Sequence, residues 1–165
     1  MSDTGQPNLQ RARLEPSADI DAIAAELLDA AIEVHRALGP GFLEAIYQEA
    51  LCVELALRAI PFVRQSSVAV HYKGPIVGDA RIDLLVADRL IVELKAIEQI
   101  APIHLAQAMS YLKTTSLPLA LLVNFNAPVL LRGVRRVILS TLIPYPGDPG
   151  ALAADLPRLS FCPGG

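Results

Sequence analysis

Residues Asp79 to Lys95 read DARIDLLVADRLIVELK, two short β-prone runs on either side of Ala87-Asp88-Arg89. Asp79 to Val86 and Leu90 to Lys95 predict strands, and the break between them predicts an antiparallel hairpin. Four ionisable residues, Arg81, Asp83, Glu93 and Lys95, lie in or beside these apolar runs, where burial is costly unless they serve one another. Strict alternation puts Arg81 with Asp83 and Glu93 with Lys95, while Ile82, Leu84, Val92 and Leu94 take the opposite faces. Register then decides the chemistry. A three-residue loop makes Val86 face Leu90 and, counting back, sets Asp83 opposite Glu93; an even loop separates them.

Two carboxylates beside a lysine suit a hard divalent cation such as Mg²⁺, which takes oxygen ligands and keeps several waters. One ion or two would activate water and stabilise charge on a phosphoryl group, with the lysine orienting the nucleophile or holding phosphate. The structural alternative is a buried salt bridge of Asp83 or Glu93 with Arg81 or Lys95. Taken alone, the hairpin leaves both open.

Upstream, Ile20, Ile23, Leu27, Ala31, Val34 and Leu38 recur at helical spacing behind Ser17, a candidate cap, with Asp19 and Asp21 in the first turn. Gly39-Pro40-Gly41 ends that helix in a tight elbow, and a second helical pattern runs from about Leu43 to Arg58. Past Pro61 the period changes to two, with Val68, Val70 and Tyr72 alternating before a turn at Lys73-Gly74-Pro75. Downstream of the hairpin come a helix from about Pro102 to Thr114, an apolar strand Leu119 to Phe125, and one or two strands through Val129 to Leu139. The order is ααβββαββ, an α/β (α+β) domain with a mixed central sheet flanked by helices. Met1 to Pro16 reads as a flexible leader, 17–143 as the working domain, and 144–165 as a Pro/Gly-rich tail.

The chain has 165 residues, 53% hydrophobic and 19% charged, enough for one core and too apolar for disorder. Pro118, Asn124, Asn126 and Pro128 interrupt its richest stretch, Leu117 to Leu131, so no membrane span is expected. A polar N-terminus without a secretory signal predicts a cytoplasmic location. Cys52 and Cys162 lack the spacing of a zinc site or a disulfide framework and read as free thiols. A net charge of −3 excludes a generally basic nucleic-acid coat, so any such binding is local. The absence of a phosphate loop with Lys-Ser or Lys-Thr speaks against an NTPase.

The run HRALGPGFLEAIYQEAL contains Gly41-Phe42-Leu43-Glu44-Ala45-Ile46-Tyr47, which fits a GxxExxY signature. Asp83 followed by Glu93-Leu94-Lys95 looks like a D…ExK core, and Gln107-Ala108-Met109-Ser110-Tyr111 looks like a QxxxY element. In this order the motifs resemble the GxxExxY protein family of the PD-(D/E)XK nuclease-like superfamily, the last motif being that of RecB-like nucleases. The resemblance covers roughly Ile32 to Val137 and includes the stretch LLVNF. It implies a restriction-endonuclease-like core and a Mg²⁺-dependent nuclease acting on DNA or RNA, with Mn²⁺ as an alternative ion. It further implies metal ligation by Asp83 and Glu93, with the Leu94 carbonyl as a further ligand, and a water-positioning Lys95. Glu44 would complete or support the metal site, while Gln107 and Tyr111 would orient Lys95 or contact the substrate backbone. Gln107 and Tyr111 also share a helix face on spacing alone.

Plainer roles compete for the remaining residues. Glu44 suits the positive end of the second helix, Tyr47 suits packing or a hydrogen bond to a carboxylate, and Gly39 and Gly41 suit the turn. His35 and His71 read as packing or surface residues, while His104, three residues before Gln107, is a candidate contact for phosphate or a metal-bound water. Arg132, Arg135 and Arg136 form a basic cluster for which a solvated surface is the plainer reading. A non-catalytic nucleic-acid-binding or protein-interaction module on the same fold is the competing function, and one-sided apolar helices leave room for a homodimer.

Overall fold

The computed structural model describes residues 16–139. The expected leader and tail, together with Cys162, lie outside the described residues, except Pro16, which is buried.

Helix α1 (Ala18–Leu38) buries Ile20, Ala24, Leu27, Ala31 and Val34, the three- and four-residue spacing of one apolar stripe. Ser17 takes the N-cap position but its hydroxyl makes no capping bond. Its carbonyl instead accepts from the Ile20 and Asp21 amides at 2.9 and 3.1 Å, and Asp19 and Asp21 supply the charge that favours the helix start. Gly39 and Gly41, at φ +69° and +111°, make the elbow in conformations that favour glycine. Tyr47, on α2 (Glu44–Leu57), closes that elbow: its hydroxyl donates to the Gly39 carbonyl at 2.6 Å and accepts from the Phe42 amide at 3.1 Å. The Tyr47 ring stacks on Phe125 with centroids 4.6 Å apart. Tyr47 therefore packs, as expected, but bonds main chain rather than a carboxylate.

Five strands follow in the order β1-β2-β3-β4-β5 across one sheet. They are β1 (Phe62–His71), β2 (Ile76–Val86), β3 (Leu90–Lys95), β4 (Leu119–Asn124) and β5 (Val134–Ile138), with α3 (Pro102–Thr115) between β3 and β4. The β3–β4 pair is parallel and the rest antiparallel, because the α3 crossover returns the chain in the same direction. Strand β1 starts at Phe62, directly past Pro61, where the period of the sequence changes to two. Lys95 is the partner of Asn124 across the parallel pair.

Two apolar layers sandwich the sheet. On one face α1 and α2 contribute Leu27, Ala31, Tyr47, Leu51 and Leu55 against Leu84, Val92, Leu94, Leu121 and Val123. On the other, Ala108 and Leu112 of α3 pack with Ile82, Ile91, Ala120, Leu122 and Val137. One expectation fails here. Alternation assigns Ile82 to the same face as Leu84, yet Ile82 packs on the α3 side, so β2 turns over between them. Every residue of β4 is buried, which accounts for the apolar stretch noted in the sequence. Among the described residues no helix is long and apolar enough to cross a membrane.

The chain re-enters the sheet at β5 through a short 3₁₀ turn, Leu130–Gly133. A Cβ at Gly133 would lie 2.5 Å from the Asn124 carbonyl oxygen and 2.8 Å from the Ala127 Cβ. Backbone on one side and a methyl on the other leave little to yield, so Gly133→Ala is expected to cost about 1–3 kcal/mol in a thermal melt. An unchanged melting temperature would contradict this packing.

Candidate active site

The hairpin loop has the length that brings the carboxylates together. Val86 pairs with Leu90 and Leu84 with Val92, while Ala87 and Asp88 adopt left-handed conformations and the Arg89 amide donates to the Val86 carbonyl at 3.0 Å. Beyond Leu84 and Val92 the ladder opens, and side chains take over from main chain. The Leu94 amide donates to Asp83 Oδ2 at 2.9 Å, and the Asp83 amide points to Glu93 Oε1 at 3.4 Å. Each carboxylate thus satisfies a backbone donor of the opposite strand. Such reciprocal bonding places two acids side by side in a buried fork.

Glu93 is only 3% exposed and Lys95 14%, and their charged atoms lie 3.5 Å apart. The Lys95 ammonium also donates to the Leu94 carbonyl at 2.9 Å. Burial, and after it the Asp83 charge, push the Glu93 carboxyl up to about 7, against the opposing pull of Lys95 and the Asp83 amide. The salt bridge weighed from the sequence is therefore present for Lys95 and Glu93. Arg81 is exposed.

Glu44 reaches the same region from the first turn of α2. Its carboxyl is raised, chiefly by burial; Lys95 and the Ala96 amide hold it down, Asp83 pushes it up, and His104 lowers it slightly. Glu44 is thus both a helix N-terminal acid and a neighbour of the Asp83 and Lys95 charges. His104 Nδ1 accepts from the Ala101 amide at 3.0 Å, so a neutral ring carries its proton on Nε2. Gln107 and Tyr111 share a face as the spacing predicted, but their 2.7 Å hydrogen bond is to each other. Neither bonds Lys95 among the described residues.

Two further residues shape the site and escaped the sequence reading. Gln48, one helical turn beyond Glu44, donates to the Asp83 carbonyl at 3.3 Å and ties α2 to β2. Its spacing of four from Glu44 was the available signal. Asn124, buried at the end of β4, donates to the Ile97 carbonyl at 2.8 Å and accepts from the Ile97 amide at 3.1 Å. It fixes the chain as it leaves Lys95; a polar residue closing an apolar strand was its signal. The arginine cluster is engaged elsewhere: Arg136 meets Asp21 at 2.6 Å, and Arg135 bonds the Arg132 and Val134 carbonyls. His35 bonds the Ala127 carbonyl and His71 the Gly74 carbonyl. Cys52 is a buried free thiol.

Oxygen donors from Asp83, Glu93 and the Leu94 carbonyl, with Glu44 nearby, are a hard set suited to a divalent cation. Two observations fit that chemistry: Glu93 and the Leu94 carbonyl already share one cation, the Lys95 ammonium, and the adjacent Asp83 charge raises the Glu93 carboxyl. Among the described residues, no three His, Cys, Asp or Glu side chains converge into a ready-made ion site.

The fold and the acidic fork together define a class, an α/β domain that presents two carboxylates and a lysine where its central hairpin opens. A family model described as the PD-(D/E)XK nuclease superfamily matches residues 21–137, and the chain belongs to that superfamily. No curated protein and no solved structure matches it. Nucleases of this superfamily generally use divalent metals.

Proposed function

We propose that the protein is a Mg²⁺-dependent nuclease that hydrolyses phosphodiester bonds of DNA or RNA. The observation that carries this reading is the reciprocal bonding of Asp83 and Glu93 across the opened hairpin, with Lys95 against Glu93. Asp83, Glu93 and the Leu94 carbonyl would hold the ion, with Glu44 supporting them. When bound, a divalent cation supplies Lewis-acid stabilisation of phosphoryl charge and makes water a stronger nucleophile at neutral pH.

The chain's own groups account for the rest. Lys95 holds and orients the attacking water by hydrogen bonding, and its charge favours ionised Glu93. His104, with Nδ1 occupied by the Ala101 amide, offers Nε2–H as a donor to a substrate phosphate. Gln107 and Tyr111, an exposed amide bonded to a phenol, would contact the substrate backbone. Because the net charge is −3, such contacts would be few, with modest affinity and marked salt sensitivity.

The test is titration of Mg²⁺ and Mn²⁺ into wild-type protein and a Glu93→Ala/Lys95→Ala variant, following heat and cleavage of labelled single- and double-stranded DNA and RNA. Loss of metal binding and cleavage together in the variant is the expected result. Binding of nucleic acid that ignores metal, with no cleavage by wild type, would replace this reading with a non-catalytic binding module.

A further inference from the structure

We infer that Gln65 is a positioning residue: its left-handed backbone turns the β1–β2 ribbon over and thereby aims Asp83 into the fork with Glu93. The consequence for catalysis rests on the nuclease reading; the geometric content does not.

Pairing of β1 with β2 runs through Val63–Leu85 and Arg64–Leu84, then resumes at Ser66–Ile82 and Ser67–Arg81. Counting across this interval puts Gln65 opposite Asp83 with no residue inserted, yet the ladder omits that pair. Gln65 has φ +49°. The other non-glycine residues with positive φ, Ala59, Lys73, Ala87, Asp88 and Ser116, lie outside the strands, so among the described residues Gln65 alone adopts this conformation within one.

The two strands change faces at this point. Phe62, Leu84 and Val86 pack on the α1 and α2 side, whereas Val68 and Ile82, at positions of the same parity, pack on the α3 side. Strand β3 makes no such change, since Val92 and Leu94 both stay on the α1 and α2 side. A ribbon that rolls over beside a strand that runs straight must part from it. The β2–β3 ladder ends at Leu84–Val92, one residue before Asp83, and the Asp83 carboxylate fills the opening by accepting the Leu94 amide. Left-handed backbone disfavours residues with a side chain, and β-branched residues most of all. Gln65 is exposed, so its contribution lies in backbone conformation, and substitutions can be ranked by their tolerance of positive φ.

The experiment compares Gln65→Gly, Gln65→Asn and Gln65→Val with Asp83→Ala in the full ¹⁵N-labelled chain. It reads the position and hydrogen exchange of the Leu94 amide by NMR, and kcat and KM for cleavage. Glycine and asparagine, which accept the left-handed region, are expected to leave the Leu94 signal at its wild-type position and kcat unchanged. Valine is expected to move the signal to its Asp83→Ala position, speed its exchange roughly tenfold, and lower kcat about 100-fold at constant KM. If the valine variant does not fold, Gln65→Thr is read in the same way. A folded valine or threonine variant with a wild-type Leu94 amide would overturn the inference, as would a glycine variant that loses it. If no protein, wild type included, cleaves nucleic acid while the amide responds as expected, the inference stands and the nuclease reading fails.

Discussion

Lys95→Met is expected to lower kcat for nucleic-acid cleavage by about 10³-fold, within the range that one positioned polar group contributes to a charged transition state. Methionine keeps much of the apolar stem of lysine but removes three donors and a charge. On the proposed reading, the first loss would be the hydrogen bond by which Lys95 orients the attacking water. The second is electrostatic: Lys95 opposes the burial and the Asp83 charge that raise Glu93, so its removal lifts Glu93 further and protonates more of it at neutral pH. The acid limb of the pH–rate profile should therefore move to higher pH, and part of the lost rate should return there. A variant within tenfold of wild type, with an unmoved profile, would remove Lys95 from the mechanism.

Glu93 also makes the stability of the protein depend on pH, in a direction opposite to that of an ordinary paired carboxylate. Its folded value is about 7 against 4.5 for the unperturbed group, so the folded state binds the proton more tightly than the unfolded chain. Stability from this group is full below about pH 4.5 and declines as pH rises through 7. The total decline is on the order of 3 kcal/mol. Glu44, raised chiefly by burial, adds in the same direction. Glu93→Gln should flatten most of this slope and, above pH 8, should melt higher than wild type, because an amide in the fork carries no charge to desolvate. Mg²⁺ should raise the wild-type melting temperature more at pH 8 than at pH 6, since protons compete with the ion for the carboxylate, and should do little for Glu93→Gln. Thermal melts across this pH range, with and without Mg²⁺, check the set; a wild-type curve as flat as the variant's would refute the burial of an ionised Glu93.

The local patterns carried the architecture. Apolar spacing of three and four along α1, alternation in the strands and the glycine-proline elbow together predicted the order ααβββαββ, the order found. Counting back from the hairpin left two outcomes, Asp83 opposite Glu93 with a three-residue loop or apart from it with an even one, and the Val86–Leu90 register is that of the three-residue loop. Motif resemblance pointed to the superfamily that the family match establishes.

Alternation along a strand and spacing along a helix follow from backbone geometry within a few residues, so the sequence by itself determined which segments form elements and which acids lie on the hairpin, while the register between its strands came from the structure. The sequence did not determine that the hairpin opens at that point, that Ile82 changes face, or that Gln107 and Tyr111 bond each other. Nor did it locate Gln48 against the Asp83 carbonyl or Asn124 against Ile97, contacts between segments distant in the chain. Those depended on how β1, α2 and α3 pack around the sheet, and the raised pKa of Glu93 depended on the water that this packing excludes.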